Sequence, residues 1–86
     1  MNIEHLVKMA NQIEAFFHSE PDRATAIAAI ENHLRRFWDP RMRRQIVTHL
    51  RAGGAGLGDL ARAAVERCAA DFPAQADPSA SHGRQA

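Results

Sequence analysis

The chain has 86 residues, 45% of them hydrophobic, and a formal net charge of +1 at pH 7. This length allows one small domain, which buries only about 60% of the surface that its unfolded chain exposes. The single cysteine, Cys68, excludes an intramolecular disulfide and a multi-cysteine metal site, and no apolar run approaches the roughly 18 residues of a membrane span.

The N-terminus lacks the basic and apolar regions of a signal peptide, so we expect a cytoplasmic protein. The first predicted helix runs from about residue 3 to 18 after an N-cap at Asn2. Its apolar stripe is broad enough to contact more than one neighbour. The stripe consists of Ile3, Leu6, Val7, Ala10, Ile13, Phe16 and Phe17.

A break and a second helix follow. Ser19 can cap this helix, and Pro21 suits its first turn, where the missing N–H has no cost. The helix is expected to end near Trp38, because residues that precede a proline avoid the helical region. The short connection predicts that the first two helices form an antiparallel hairpin, the firmest part of the fold.

Asp39 and Pro40 predict the N-cap and first residue of a third helix, which ends at Gly53 and Gly54. The glycine-rich loop 53–58 is not a phosphate loop, because no strand precedes it and no Gly-Lys-Ser/Thr follows. A fourth helix is predicted from about residue 59 to 71, loosely packed because the glycine loop specifies its position weakly.

Residues 74–86 contain no large apolar side chain, so burial cannot offset the entropy of ordering them. The sequence therefore predicts an all-α fold: a small bundle of three to four short helices over residues 1–73, and a disordered C-terminal tail over residues 74–86.

The most informative stretch is residues 35–44, which hold the only tryptophan and five of the ten arginines. Cations in the first turns of the third helix oppose its dipole by a few tenths of a kcal/mol each. Arginine and tryptophan are also enriched at binding hot spots. An acidic partner surface would explain both features. The alternative is that Phe37 and Trp38 close the core of the bundle and that the arginines form a solvated face.

No catalytic or metal site is predicted. The five histidines are dispersed and never paired at the i, i+4 spacing of a helical metal site. Cys68 lies on the apolar face of the fourth helix, which favours burial over reactivity. Glu4 and Glu14 are expected to face solvent, and no paired carboxylates support acid–base chemistry.

Several runs together resemble the delta subunit of the NAD-dependent formate dehydrogenases, over residues 3 to about 72. These runs are Leu6–Ile13, Phe16–Phe17, His33–Arg43, and Gly53, Gly54 and Leu57. The resemblance implies a cytoplasmic bacterial complex that oxidises formate and reduces NAD. Its large subunit holds a molybdenum or tungsten bis-pterin cofactor and iron–sulfur clusters, and other subunits hold flavin and further clusters. The delta subunit itself is implied to be small, non-catalytic and free of cofactors, with a role in assembly or stability.

The resemblance also identifies hallmark positions of the family at the junction between the second and third predicted helices. We predict that they form the surface that docks on the catalytic (alpha) subunit. The positions are Arg36, Phe37, Trp38, Asp39, Pro40, Arg41, Met42 and Arg43.

Two other functions remain open at this point. The chain is alternatively a transient assembly factor for cofactor insertion, with its basic corner meeting a phosphate-rich cofactor or an unfolded segment. It is less well described as a helix–turn–helix protein that binds nucleic acid. The Asp39–Pro40 junction is shorter than the usual turn of that motif, and the net charge is far from strongly basic.

Overall fold

A computed structural model describes residues 2–73, which fold into four α-helices and one short 3₁₀ helix without a strand. The helices are α1 (Ile3–Phe16), α2 (Arg23–Phe37), α3 (Pro40–Arg51) and α4 (Asp59–Cys68), and the 3₁₀ helix is Ala69–Asp71. The predicted all-α fold is confirmed. The predicted tail, residues 74–86, lies outside the described residues. None of the helices in the described part is long and apolar enough to cross a membrane.

Each of the first three helices begins at a side chain whose oxygen accepts an N–H from the first turn. The caps are Asn2 for α1, Asp22 for α2 and Asp39 for α3. The predictions for α1 and α3 are confirmed. The prediction that Ser19 caps α2 is wrong, because Asp22 takes that position, and Pro21 therefore lies before the cap rather than inside the first turn.

The C-terminus of α3 is closed by two glycines in positive-φ conformations, as predicted. Gly53 (φ 121°) donates its N–H to the Leu50 carbonyl, and Gly54 (φ 66°) donates to the His49 carbonyl, each at 2.9 Å. These are the two hydrogen bonds of a Schellman motif, which satisfies carbonyls that the helix itself leaves free.

Helix α4 lies at the centre of the bundle, packed on α2 and α3 and also against α1, whereas α1 and α2 touch each other little. The predictions of a firm α1–α2 hairpin and a loosely packed α4 are therefore both wrong. The reason is the small size of the α4 side chains that face inward, which lets the other helices approach closely. These side chains are fully buried: Ala61, Ala64, Val65 and Cys68.

All four helices contribute to one hydrophobic core. Its other buried members are Leu6, Ala10, Ile27, Ile30, Leu34, Trp38, Ile46, Val47 and Leu57. Helix α4 ends at Cys68, earlier than predicted, because its last turn tightens into the 3₁₀ helix that Pro73 follows.

Candidate docking surface

The corner between α2 and α3 places Trp38 in the core. Trp38 is only 4% exposed, and its main-chain N–H donates to the Leu34 carbonyl at 3.0 Å. Trp38 therefore closes the core of the bundle, and its indole is not available to fill a pocket on a partner. The adjacent Phe37 does the opposite, because it is 67% exposed.

Arg43 points back from α3 to the end of α2. Its guanidinium donates to the main-chain carbonyls of Arg35 and Trp38. These carbonyls lie at the negative end of the α2 dipole, where a cation is favourable. The Arg43 charge, which opposes the dipole of α3 when the sequence alone is considered, is thus placed at the negative end of α2. One atom, Arg43 Nε, is buried without a hydrogen-bond partner among residues 2–73.

Arg35 holds α2 against the end of α4. It donates to Glu31 at 2.9 Å, to Asp71, and to the Arg67 carbonyl at 3.3 Å. Arg67 in turn donates to Glu31 at 3.1 Å. The hydrogen bond that Arg35 donates to Glu31 is the largest cause that raises the pKa of Arg35, although burial opposes the shift. Arg35 is therefore part of the framework of the bundle.

The remaining predicted positions face outward or sit at the rim. Met42 is half-buried and packs against the core, whereas Asp39 and Pro40 are exposed at the start of α3. Arg41 is exposed, and the exposed Arg36 places its guanidinium carbon 5.8 Å from the centre of the Phe37 ring. The predicted set is thus divided between the interior and the surface, and its contact with a partner stays a prediction.

A cleft of about 300 Å³ opens between the end of α1 and the end of α2. Phe16 at its edge is 79% exposed, and its ring meets that of Phe17 edge-to-face at 5.0 Å between centroids. On the other side, the His33 ring contacts the Phe37 ring, with 4.7 Å between centroids and the two planes tilted by 42°. We call this feature the α1–α2 cleft. Its lining residues are Met9, Gln12, Ile13, Phe16, Phe17, His33 and Trp38.

Two features of the sequence indicated excess apolar surface at the end of α1, where this cleft lies. The apolar stripe of α1 was broader than one neighbour needs, and the Phe16–Phe17 pair lay at its end. The missing information was the position of α2. Because α2 packs mainly on α4, the end of the α1 stripe is left without a cover.

Two polar residues of α1 form hydrogen bonds to the glycine-rich loop and to the first turn of α4. Asn11 donates its amide to the Gly56 carbonyl at 2.9 Å and accepts the Gly58 N–H at 2.8 Å. Glu14, expected to face solvent, instead accepts the Ala61 N–H at 2.8 Å, so that expectation is wrong. The loop is thus tied to side chains of α1.

The titratable groups of residues 2–73 include one buried thiol and several ion pairs. Within residues 2–73, no three His, Cys, Asp or Glu side chains lie close enough together to hold a metal ion. Cys68 is buried, as predicted, and burial raises the pKa of its thiol. Arg23 forms an ion pair with Asp59, and its hydrogen bond lowers the pKa of that carboxyl.

Comparison with known proteins gives one match. The family model described as NADH-dependent formate dehydrogenase delta subunit FdsD matches residues 5–65. The matched segment contains the corner between α2 and α3, the α1–α2 cleft and the glycine-rich loop. No curated protein and no solved structure matches the chain significantly.

Proposed function

Because this chain belongs to the NADH-dependent formate dehydrogenase delta subunit family, we propose that it is a non-catalytic accessory subunit of that enzyme. In this proposal it docks on the catalytic (alpha) subunit of a cytoplasmic complex and supports the assembly or stability of that complex. The single observation that carries the docking role is the exposure of two large aromatic side chains, Phe16 at 79% and Phe37 at 67%.

The use of the polar side chains supports the same proposal. Asn11, Glu14, Arg35 and Arg43 each make hydrogen bonds that hold the bundle together. These polar side chains are therefore occupied within the bundle, while apolar surface is left exposed. Exposed aromatic surface on a small domain is typical of a protein–protein contact.

We propose that the redox centres of the complex belong to its other subunits. These centres are the molybdenum or tungsten bis-pterin, the iron–sulfur clusters, the flavin and the NAD site. Iron–sulfur clusters normally take four cysteine thiolates, and this chain has one cysteine, which is buried.

The test is the composition of the purified complex. The full chain, carrying an affinity tag, is co-expressed with the other formate dehydrogenase subunits, and the purified assembly is weighed by native mass spectrometry. We expect one copy of the chain for each catalytic subunit, and a lower yield of active complex when the chain is omitted. A chain that associates with no formate dehydrogenase subunit at any stage would refute the proposal.

The same experiment separates the second candidate, a transient assembly factor for cofactor insertion. That function predicts a chain bound to cofactor-free catalytic subunit and absent from the mature complex. The observation that keeps it in view is the exposure of two arginines at the corner between α2 and α3, Arg36 and Arg41.

A further inference from the structure

We propose that the α1–α2 cleft, together with Phe37, is the face that docks on the catalytic subunit. Its occupant is an apolar segment of that subunit that carries a carboxylate opposite Arg36. This inference rests on the proposed function and deepens it. It keeps Arg36 and Phe37 of the predicted surface and adds the cleft that ends at Phe16, whereas Trp38 is a buried wall of that cleft rather than an inserted anchor.

The two exposed aromatic residues are linked through the cleft, because Phe16 lines it and Phe37 contacts the ring of His33, which also lines it. Phe16 and Phe37 are the two large hydrophobic residues exposed in the described part of the chain, and both border the cleft region. The cleft is also lined by half-buried side chains that pack against the core: Met9, Ile13 and Phe17. Single exposed apolar residues are ordinary on protein surfaces, whereas two exposed aromatic rings grouped around one apolar cleft form a candidate binding surface.

The charge beside the patch defines the chemistry of the partner. Among residues 2–73, no Asp or Glu lines the cleft. Arg36 contacts the Phe37 ring, and within residues 2–73 no carboxylate lies within ion-pair distance of its guanidinium. By contrast, Arg23, Arg35 and Arg67 each pair with a carboxylate of the chain itself. The partner is therefore expected to supply the carboxylate for Arg36.

Two other occupants fit the face less well. The segment 74–86 contains no large apolar side chain, so it has nothing to insert into the cleft beside Phe16 and Phe37. A second copy of the chain would present the same cleft, which has no Asp or Glu among its lining residues. An isologous dimer through this face would therefore leave both Arg36 side chains without an acidic partner.

The experiment measures binding of the full chain to the formate dehydrogenase complex that lacks it. The principal variant is Phe16→Ser/Phe37→Ser, and the matched control is Thr48→Ser/Glu66→Ser, two exposed positions outside the cleft. A third variant, Arg36→Glu, tests the charge without removing apolar surface. Circular dichroism and thermal unfolding establish that each variant is folded, and affinity is measured by biolayer interferometry.

We expect the control to bind like the wild-type chain and the double phenylalanine variant to bind at least about 30-fold more weakly, the effect of losing one hot-spot residue. Arg36→Glu is expected to weaken binding as well. Undiminished binding by both cleft variants, with wild-type binding intact, would overturn the inference and leave the proposed function standing. Failure of the wild-type chain to bind would instead refute the proposed function. A wild-type dimer in ultracentrifugation that the phenylalanine changes dissociate, without effect on complex binding, would assign the face to a second copy and overturn the inference.

Discussion

The Glu14 carboxylate on α1 accepts the main-chain N–H of Ala61 at 2.8 Å, although the two residues are 47 positions apart. Ala61 is the third residue of α4, whose own N-cap residue is Gly58 and has no side chain to offer. Glu14 therefore performs, from another helix, the capping that Asn2, Asp22 and Asp39 perform locally.

This relationship predicts that Glu14→Ala destabilises the fold by about 1 kcal/mol, the usual effect of losing an N-cap side chain. The matched control is Glu66→Ala, which removes an exposed carboxylate from the same helix that Glu14 caps. Urea unfolding followed by circular dichroism measures both changes. Equal midpoints for Glu14→Ala and the wild-type chain would show that the cross-helix cap contributes nothing to stability.

The inward direction of Arg43 predicts a contrast with Arg41. Arg43→Ala leaves two carbonyls at the end of α2 without their donor, so we expect a loss of about 1–3 kcal/mol. Arg41 is exposed, so Arg41→Ala is expected to stay within about 0.5 kcal/mol of the wild-type chain. Free energies of unfolding for the two variants, measured side by side, test this assignment. It fails when the two arginines prove equally dispensable.

The burial of Trp38 predicts that its fluorescence is protected from iodide. Trp38 is the only tryptophan and the chain has no tyrosine, so the emission reports on this residue alone. We expect little quenching in the folded chain and strong quenching in urea. Trp38→Ala is expected to lower stability by about 3–5 kcal/mol, which is comparable with the whole stability of a small domain. Strong quenching of the folded chain would show that the Trp38 indole is exposed to solvent, which would contradict its burial.

The environment of Cys68 predicts a pH effect. Burial raises the pKa of its thiol in the folded chain, whereas the thiol in the unfolded chain has a pKa of about 8.5. The unfolded state is thus favoured progressively as the pH rises above that value, and the free energy of unfolding falls. Iodoacetamide is expected to alkylate Cys68 slowly in the folded chain and rapidly in urea. A Cys68→Ser variant should show a smaller change of stability across the same alkaline range.

Local features of this fold could be predicted from the sequence because they depend on neighbouring residues. Asn2, Asp39 and Gly53 set helix ends through bonds within a few positions, and their roles are confirmed. The burial of Cys68 followed from its place on an apolar helix face.

Features that depend on distant contacts could not be predicted in this way. Asn11 is joined by hydrogen bonds to the glycine loop, and Glu14 is joined by one to α4. The partners are 45 to 47 residues apart in the sequence. The central place of α4 follows from small side chains that carry a weak pattern. The corner stretch suggested a docking tryptophan, because neither the inward turn of Trp38 nor the return of Arg43 to α2 has a signature in local spacing.

Hydroxyl-radical footprinting of the chain, free and within the formate dehydrogenase complex, tests the docking face most directly. Mass spectrometry then reports the oxidation of each aromatic residue. The account predicts that Phe16 and Phe37 are oxidised readily in the free chain and are protected in the complex, while the buried Trp38 is protected in both. Equal oxidation of Phe16 and Phe37 in the free and bound chain would contradict it.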